Sequence, residues 1–382
     1  MSETQKHTKP NVPNLRFPGF EGEWEGHILG DYIRLQGGYA FKSELFRNNG
    51  IPIIRISNLP QDGDEVDLTE CVYYDDGAYD NYVVKKGDLL IAMSGATTGK
   101  TATYRSDERA FLNQRVGCFR TKKEFYYPFI YGIVESPSFQ NSLKKKLIAG
   151  AQPNISSSDI ETIPFFFPRS NEQVKIADLI SLINQRISIQ SKLIDRYESL
   201  IKALRHHIFT SINPIEEVCF SDILSYEQPT RFIVTDTEYS DNKDLTPVLT
   251  ANKAFILGYT DEREGIYRKG PCIILDDFTL DCKIVDFPFK VKSSAIKILT
   301  AKSSVNLRYV YEYLRYLDLN TEEHKRHYIA EIEPMTIELP GKAEIDAIAN
   351  LFSKLDSRKQ LAERDLELLK SEKAHYLNTL FI

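Results

Sequence analysis

The sequence predicts a duplicated, mixed α/β chain. Two globular α/β segments are separated by a pair of long antiparallel coiled-coil helices, related by an internal pseudo-two-fold repeat. Three observations predict this. Residues 168–209 and 340–381 align over 42 positions without a gap at a fixed offset of 172. Both segments carry a heptad seam of apolar residues. Each follows a stretch of short β-rich runs that closes with a shorter helix.

The repeat is carried by nine identities. Pro168, Glu172, Ile176, Ala177, Leu179, Ser181, Arg186, Ser199 and Phe209 fall on Pro340, Glu344, Ile348, Ala349, Leu351, Ser353, Arg358, Ser371 and Phe381. In the first helix the apolar positions are Ile180, Ile183, Ile187, Ile194, Tyr197, Ile201, Leu204 and Ile208, with Gln190 as a polar gap. In the second they are Phe352, Leu355, Ala362, Leu366, Leu369, Tyr376 and Leu380, with Lys359 and Lys373 intruding. Steps alternating three and four put these residues on one face of a helix. A helix of about 40 residues is a rod of roughly 60 Å. Neither rod can bury its seam alone, so antiparallel pairing within the chain is the economical arrangement, and part of each helix can also serve a partner subunit. The alternative is two helices packed separately, each on its own domain.

The globular segments read as strands between turns. Candidate strands are IPIIRIS (51–57), DLLIAM (88–93), RVGCFR (115–120), CIILDD (272–277), KIVDFPFKV (283–291) and SAIKIL (294–299). All are rich in β-branched and aromatic residues. Shorter helices follow over roughly 125–147, broken by Pro137, and 306–318. The expected organisation is a tail (1–14), a first globular domain (15–167), a central helix (168–213), a second globular domain (214–339) and a C-terminal helix (340–382).

Composition narrows the function classes. The chain has 382 residues, 42% hydrophobic and 27% charged, which is ordinary for a globular protein. Five Cys with no CxxC pair predict reduced thiols, no zinc site and a cytoplasmic location. The opening MSETQKHTKP has no apolar stretch of a secretory signal. No apolar run approaches the ~18 residues of a membrane span. A net charge of −6 argues against bulk attraction to nucleic acid and leaves local basic patches open.

No assembled catalytic site is expected, and no metal site. SGATTGKT (94–101) has three residues between Gly95 and Gly99 where a phosphate-binding Walker loop has four. It reads instead as a Gly-rich turn between strands, presenting backbone N–H groups, Thr97, Thr98 and Lys100 to a phosphate. Asp276, Asp281 and Lys283 match a nuclease pattern only crudely, which is the basis of the alternative reading: a nuclease or nucleotide-dependent DNA-processing enzyme. HKRH (324–327) lacks the Glu of an HExxH zinc site. A pure assembly protein is a third reading.

The sequence does carry local basic clusters. Seven cations lie between Lys100 and Lys123, and Lys144-Lys145-Lys146 follows. In the second half, Lys283, Lys290, Lys292, Lys297 and Lys302 stand against Asp286 alone. Tyr, Gln, Asn and Thr are interleaved. Arg and Lys hold phosphates, whereas Gln, Asn, Arg and Lys read base edges. The candidate DNA-binding residues are therefore Tyr39, Lys42, Thr98, Lys100, Arg105, Gln114, Arg115, Lys144 and Lys145 in the first half. In the second half they are Gln228, Arg231, Thr250, Lys253, Lys283, Lys290 and Lys292. The candidate helix-pair or partner residues are Ile180, Ile183, Ile187, Ile194, Tyr197, Ile201, Phe352, Leu355, Leu366 and Leu369.

Several stretches together resemble the specificity (S) subunit of type I restriction–modification systems. NLRFPGFEGEW (14–24), GGYAFKSELF (37–46), IPIIRISNL (51–59) and KKGDLLIAMSGATTGKTA (85–102) are similar to its first target-recognition domain. GAQPNISSSDIETIPFFFPRSNEQVKIADLISLINQRI (150–187) resembles its central conserved region. YEQPTRFIV (226–234), TPVLTANKAFILGY (246–259) and ILDDFTLDCKIVDFPFKVKSS (274–294) resemble a second recognition domain of different sequence. The resemblance implies two α/β target-recognition domains held apart by the helices, each reading half of a bipartite, asymmetric double-stranded DNA target. It implies a non-catalytic subunit with no cofactor of its own. Its partners would be two modification (methyltransferase) subunits and a restriction (endonuclease/translocase) subunit, which use S-adenosylmethionine, ATP and Mg. Near-Walker loops of this kind are ordinary in that family and bind no nucleotide there.

Overall fold

The computed structural model describes residues 11–60, 65–75, 77, 79–122, 125–149, 154–251, 255–302, 305–319 and 325–382. The chain divides into two compact units, residues 1–189 with 366–382, and residues 190–365.

In the first unit the strands are β1 (Glu25–Ile28), β2 (Ile33–Gly37), β3 (Ile51–Ile54), β4 (Val72–Tyr74), β5 (Val83–Val84), β6 (Leu89–Ala92), β7 (Thr101–Thr103), β8 (Ala110–Leu112), β9 (Val116–Thr121) and β10 (Pro164–Phe167). They form sheets ordered β2-β9-β6-β7 and β4-β3-β8-β5, plus the antiparallel pair β1-β10. Its helices are α1 (Phe129–Glu135), α2 (Pro137–Ala149), α3 (Ser157–Glu161) and the start of α4 (Ser170–Ser211). Ser136 is extended and Pro137 opens α2, so the helix expected over 125–147 is two helices.

In the second unit the strands are β11 (Glu216–Cys219), β12 (Leu224–Glu227), β13 (Thr246–Leu249), β14 (Ile256–Thr260), β15 (Cys272–Asp276), β16 (Cys282–Val285), β17 (Lys290–Val291), β18 (Ile296–Ala301) and β19 (Thr336–Leu339). Its sheets are β12-β18-β15-β16, β14-β13-β17 and the pair β11-β19. Its helices are the end of α4, α5 (Phe220–Ile223), α6 (Leu307–Tyr316) and most of α7 (Lys342–Thr379). The run 283–291, expected as one strand, is two: Asp286, Phe287 and Pro288 are exposed between β16 and β17, and a proline cannot donate to a ladder.

The second unit repeats the first in all but one strand, β5. β12, β18, β15 and β16 take the places of β2, β9, β6 and β7, and both units pair one strand in parallel, β3 with β8 and β13 with β17. The repeat therefore extends beyond the helices, into globular parts whose sequences are dissimilar.

The helix seams are buried within each unit. In the first, Ile180 and Ile176 of α4 share a core with Leu377, Leu380 and Phe381. In the second, Ile201 and Phe209 of α4 share a core with Ile345, Ile348 and Phe352 of α7. Ile183 and Leu369 are buried, and Ile187, Ile194, Tyr197, Leu355 and Leu366 are half-buried. The polar intrusions have partners. The Gln190 amide donates to the Ala362 carbonyl at 2.9 Å. Lys359 pairs with Glu198 at 2.7 Å and Lys373 with Glu135 at 2.8 Å. Gln190 and Ala362 are equivalent positions of the repeat, both within the second unit.

Candidate nucleic-acid interface

One end of the first unit gathers four loops. Loop 38–42 is tied to the β8–β9 turn by Tyr39 N–H donating to the Leu112 carbonyl at 2.8 Å and Gln114 N–H donating to the Tyr39 carbonyl at 2.9 Å. The same turn is tied to the end of β6 by Met93 N–H donating to the Arg115 carbonyl at 2.9 Å. A strap at 154–156 joins through Ile155 N–H to the Met93 carbonyl at 2.9 Å. Gly38 makes the first contact possible: a Cβ there would stand 2.1 Å from the Asn113 carbonyl oxygen.

Tyr39, Lys42, Lys100, Gln114 and Arg115 are exposed at this end. Tyr39 leans on Phe41, Tyr79 and Tyr82, with ring centroids 5.0–5.3 Å apart. Thr98 is half-buried and its hydroxyl donates to the Gly95 carbonyl at 2.6 Å. Lys144 and Lys145 are exposed on α2, whose Leu143 faces Gly99.

The Gly-rich loop joins β6 to β7 as a hairpin, with Gly95 and Gly99 at φ +84° and +85°. A strand follows it where a Walker loop needs a helix. Three of its amides are taken up within the hairpin: Thr98 N–H donates to Gly95, Gly99 N–H to Ala92 and Lys100 N–H to Thr97. These three are therefore not offered to a phosphate. The Lys100 side chain is exposed.

The basic cluster from Lys100 onward is not one patch, because antiparallel strands carry its members to opposite ends. Arg105 follows β7 at the far end and faces Glu65 at 3.8 Å. Lys86 meets Asp107 there at 2.7 Å. Arg120 reaches Asp88 at 2.6 Å and the Gln36 side chain at 3.0 Å. Arg105 is therefore a paired residue away from the loop end.

The second unit builds the same end with the same stitches. Asp277 N–H donates to the Ala295 carbonyl at 2.8 Å, as Met93 does to Arg115. His327 N–H donates to the Asp277 carbonyl at 3.1 Å, as Ile155 does to Met93. Ile155 and His327 are 172 positions apart, the offset of the helices, so that offset could have located both straps in the sequence. Gln228, Arg231 and Lys292 are exposed on the loops of this unit. Arg326, which sequence reasoning did not select, is exposed next to the strap residue His327, over the Phe278 ring at 5.9 Å.

Thr250, Lys283, Lys290 and Lys297 are not among these exposed loop positions. Thr250 is buried. Lys253 lies outside the described residues. Lys283 is half-buried and lines a cleft beside α6. Lys290 is buried, 2.5 Å from Glu262, and donates to the Glu264 carbonyl at 2.8 Å. Lys297 is buried 3.4 Å from Asp277. Their carboxylates come from distant segments, so the run of lysines against a single acid is a feature of the linear sequence alone.

The Lys290 pair predicts an acid-labile second unit. Burial pushes the Glu262 carboxyl up, but hydrogen bonds from the Lys290 ammonium and from the Asp236 and Thr235 amides outweigh this and hold it at about 2, below its ordinary 4.5. A lowered folded-state value stabilises above the ordinary one and is lost as pH falls toward the lowered one. The expected loss of stability runs from about pH 4.5 down to about pH 2. Glu262→Gln should flatten the unfolding free energy across that window, as measured by urea titration at each pH. An unchanged slope would contradict it.

The acids of the nuclease pattern shape a turn. Asp276 is buried and accepts from the Phe278 and Thr279 amides at 2.9 and 3.0 Å, and Asp276 N–H donates to the Asp281 carbonyl at 2.8 Å. Among the described residues, no group of three His, Cys, Asp or Glu side chains is placed to hold a metal. No helix there is long and apolar enough to cross a membrane.

The architecture has known counterparts. A type I restriction–modification system S subunit from M. genitalium superposes with a TM-score of 0.67 at 16% identity, over 97% of this chain and 99% of that one, so the two share a fold. The type I restriction enzyme EcoR124I/EcoR124II specificity subunit of Escherichia coli is 45% identical over 132 residues, 33% of this chain and 32% of the relative. The MjaVIII specificity subunit of Methanocaldococcus jannaschii is 29% identical over 197 residues, 49% of this chain and 46% of the relative. The chain thus matches between a third and a half of the length of these relatives. Residues 21–198, just under half of the chain, match the type I restriction modification DNA specificity domain.

Proposed function

We propose that this chain is the DNA sequence-recognition subunit of a type I restriction–modification complex in the cytoplasm. Each unit reads one half of a bipartite, asymmetric target. The paired helices separate the two readers and carry two modification subunits and a restriction subunit. Catalysis, S-adenosylmethionine, ATP and Mg belong to those partners. One observation carries the reading: both units hold their loop end with equivalent hydrogen bonds, yet expose different side chains there, Tyr39, Lys100, Gln114 and Arg115 in one and Gln228, Arg231, Lys292 and Arg326 in the other. A rigid common frame with variable tips suits two readers of different sequences.

Replacing residues 15–167 with the equivalent segment of another family member tests it. The methylome of a host carrying the chimera should change in one half-target and keep the other. A change in both halves, or in neither, would sink the two-reader model.

The helices offer apolar residues outside their seams. Leu182, Ile189 and Leu368 are 58%, 66% and 67% exposed in the first unit, and Leu200 and Leu361 are 45% and 59% exposed in the second. One such face per unit matches one modification subunit per unit. Burial of a large aliphatic side chain is worth about 1.5–3 kcal/mol. Leu182→Glu with Ile189→Glu is expected to weaken one of the two modification-subunit sites about a hundredfold or more, leaving a complex with a single modification subunit in native mass spectrometry. A full complement of two at micromolar protein would contradict the docking face.

A further inference from the structure

The second unit contains a cleft of about 590 Å³ between α4, α6, α7 and the edge strand β16. Its wall carries the cations Lys202, Arg205, Lys283, Arg315 and Lys359 against the carboxylates Glu198, Asp318 and Asp356, with His206 and the rings of Tyr311 and Tyr316 between them. The chain as a whole is acidic, with a net charge of −6.

The pairing around the cleft is uneven. Arg205 meets the buried Glu312 at 2.8 Å, Lys359 meets Glu198 at 2.7 Å, and Asp356 is taken by Arg308. Asp318 has a partner of its own. That leaves Lys202, Lys283 and Arg315 with no ion pair to a described residue. Elsewhere in this unit the buried or half-buried cations are matched, Lys290 by Glu262 and Lys297 by Asp277. Separate solvated lysines at helix ends would need no explanation. Three unmatched cations on the wall of one concave site repel one another, and a multivalent anion removes that cost. The size suits a ligand of a few tens of atoms, and an Arg fork with two ammonium groups fits phosphate oxygens.

We propose that this cleft binds a small oligophosphate anion, held by Lys202, Lys283 and Arg315. The proposal stands apart from DNA reading: it uses none of the loop-end residues, and the Gly-rich hairpin of the first unit is not the site. The ligand can be a free phosphate chain or the phosphate chain of a nucleotide, in which case the half-buried Tyr316 ring offers a surface for the base.

Calorimetry of the full chain with sodium tripolyphosphate, and separately with ATP, at about 0.15 M salt tests this. One saturable site is expected for each. Lys283→Ala and Arg315→Ala should each weaken it about tenfold or more, since a hydrogen bond to a charged group is worth about 1.5–3 kcal/mol. Lys202→Ala, at a fully exposed position, should weaken it in the same direction without touching the core. Lys144→Ala in the first unit should leave it unchanged. ATP tighter than tripolyphosphate identifies a nucleotide, and equal affinities identify the phosphate chain alone. No saturable heat up to millimolar ligand would overturn the proposal, as would full affinity in a folded Lys283→Ala, Arg315→Ala double variant or an equal loss in Lys144→Ala.

Discussion

Glu312→Ala is expected to destabilise the second unit by about 3–5 kcal/mol, the usual cost of removing one partner from a buried ion pair. The Glu312 carboxylate is fully buried on α6, between Arg205 of α4 at 2.8 Å and Arg308 at 2.6 Å. Arg308 also holds Asp356 of α7, and Arg205 lies over the Phe352 ring at 5.8 Å. The carboxylate ties α6 to α4, and through Arg308 and Asp356 the cluster reaches α7. Without it, two guanidinium groups remain inside with only Asp356 to balance them. Urea unfolding should show the loss, and hydrogen exchange should place it in residues 190–365, with protection retained in 1–189. A shift below about 1 kcal/mol would mean that solvent reaches the arginines and that packing alone docks α6.

Gly38→Ala is expected to abolish recognition of the first half-target. The added Cβ would lie 2.1 Å from the Asn113 carbonyl oxygen and 2.4 Å from that of Leu112, both backbone atoms that cannot step aside alone. Loop 38–42 would lift from the β8–β9 turn, taking Tyr39 and the brace of Gln114 with it. A good bidentate base contact is worth about 1–3 kcal/mol, so loss of two would lower cognate affinity about a hundredfold or more. The assembled complex should still hold unrelated DNA, because phosphate contacts carry no sequence information. Gly37→Ala is the control, since nothing lies within 4 Å of a Cβ there. Competition binding with cognate and half-substituted duplexes reads both. Normal discrimination by Gly38→Ala would remove this loop from the reading end.

Much of the architecture was legible in the sequence because it is periodic. Heptad spacing marked Ile180, Ile183 and Ile201 as buried positions of α4, and Phe352 and Leu369 as buried positions of α7. The constant offset of 172 joined the two halves, and it also relates Ile155 to His327, whose amides make the same bond in each unit. Local composition placed β3, β6, β9, β15 and β18, since β-branched residues between turn signals are a short-range signal. It failed at 283–291, where Pro288 breaks the ladder.

The charges were decided by the tertiary structure. Lys290, Lys297 and Arg105 read as free cations in their own neighbourhoods, and their partners Glu262, Asp277 and Glu65 lie 20 to 40 residues away. An ion pair forms where the fold brings two groups within about 4 Å, which linear spacing does not encode. The same holds for the loop end and the cleft: Tyr39 meets Gln114 because β2 runs antiparallel to β9, and Lys283 shares a wall with Lys202 because α6 and α4 pack on one core. The sequence by itself determined the repeat, the rods and the central strands β3, β6, β9, β15 and β18, through periodic burial and local composition. Which of its many polar side chains face solvent together was decided only when strands of opposite direction were laid side by side.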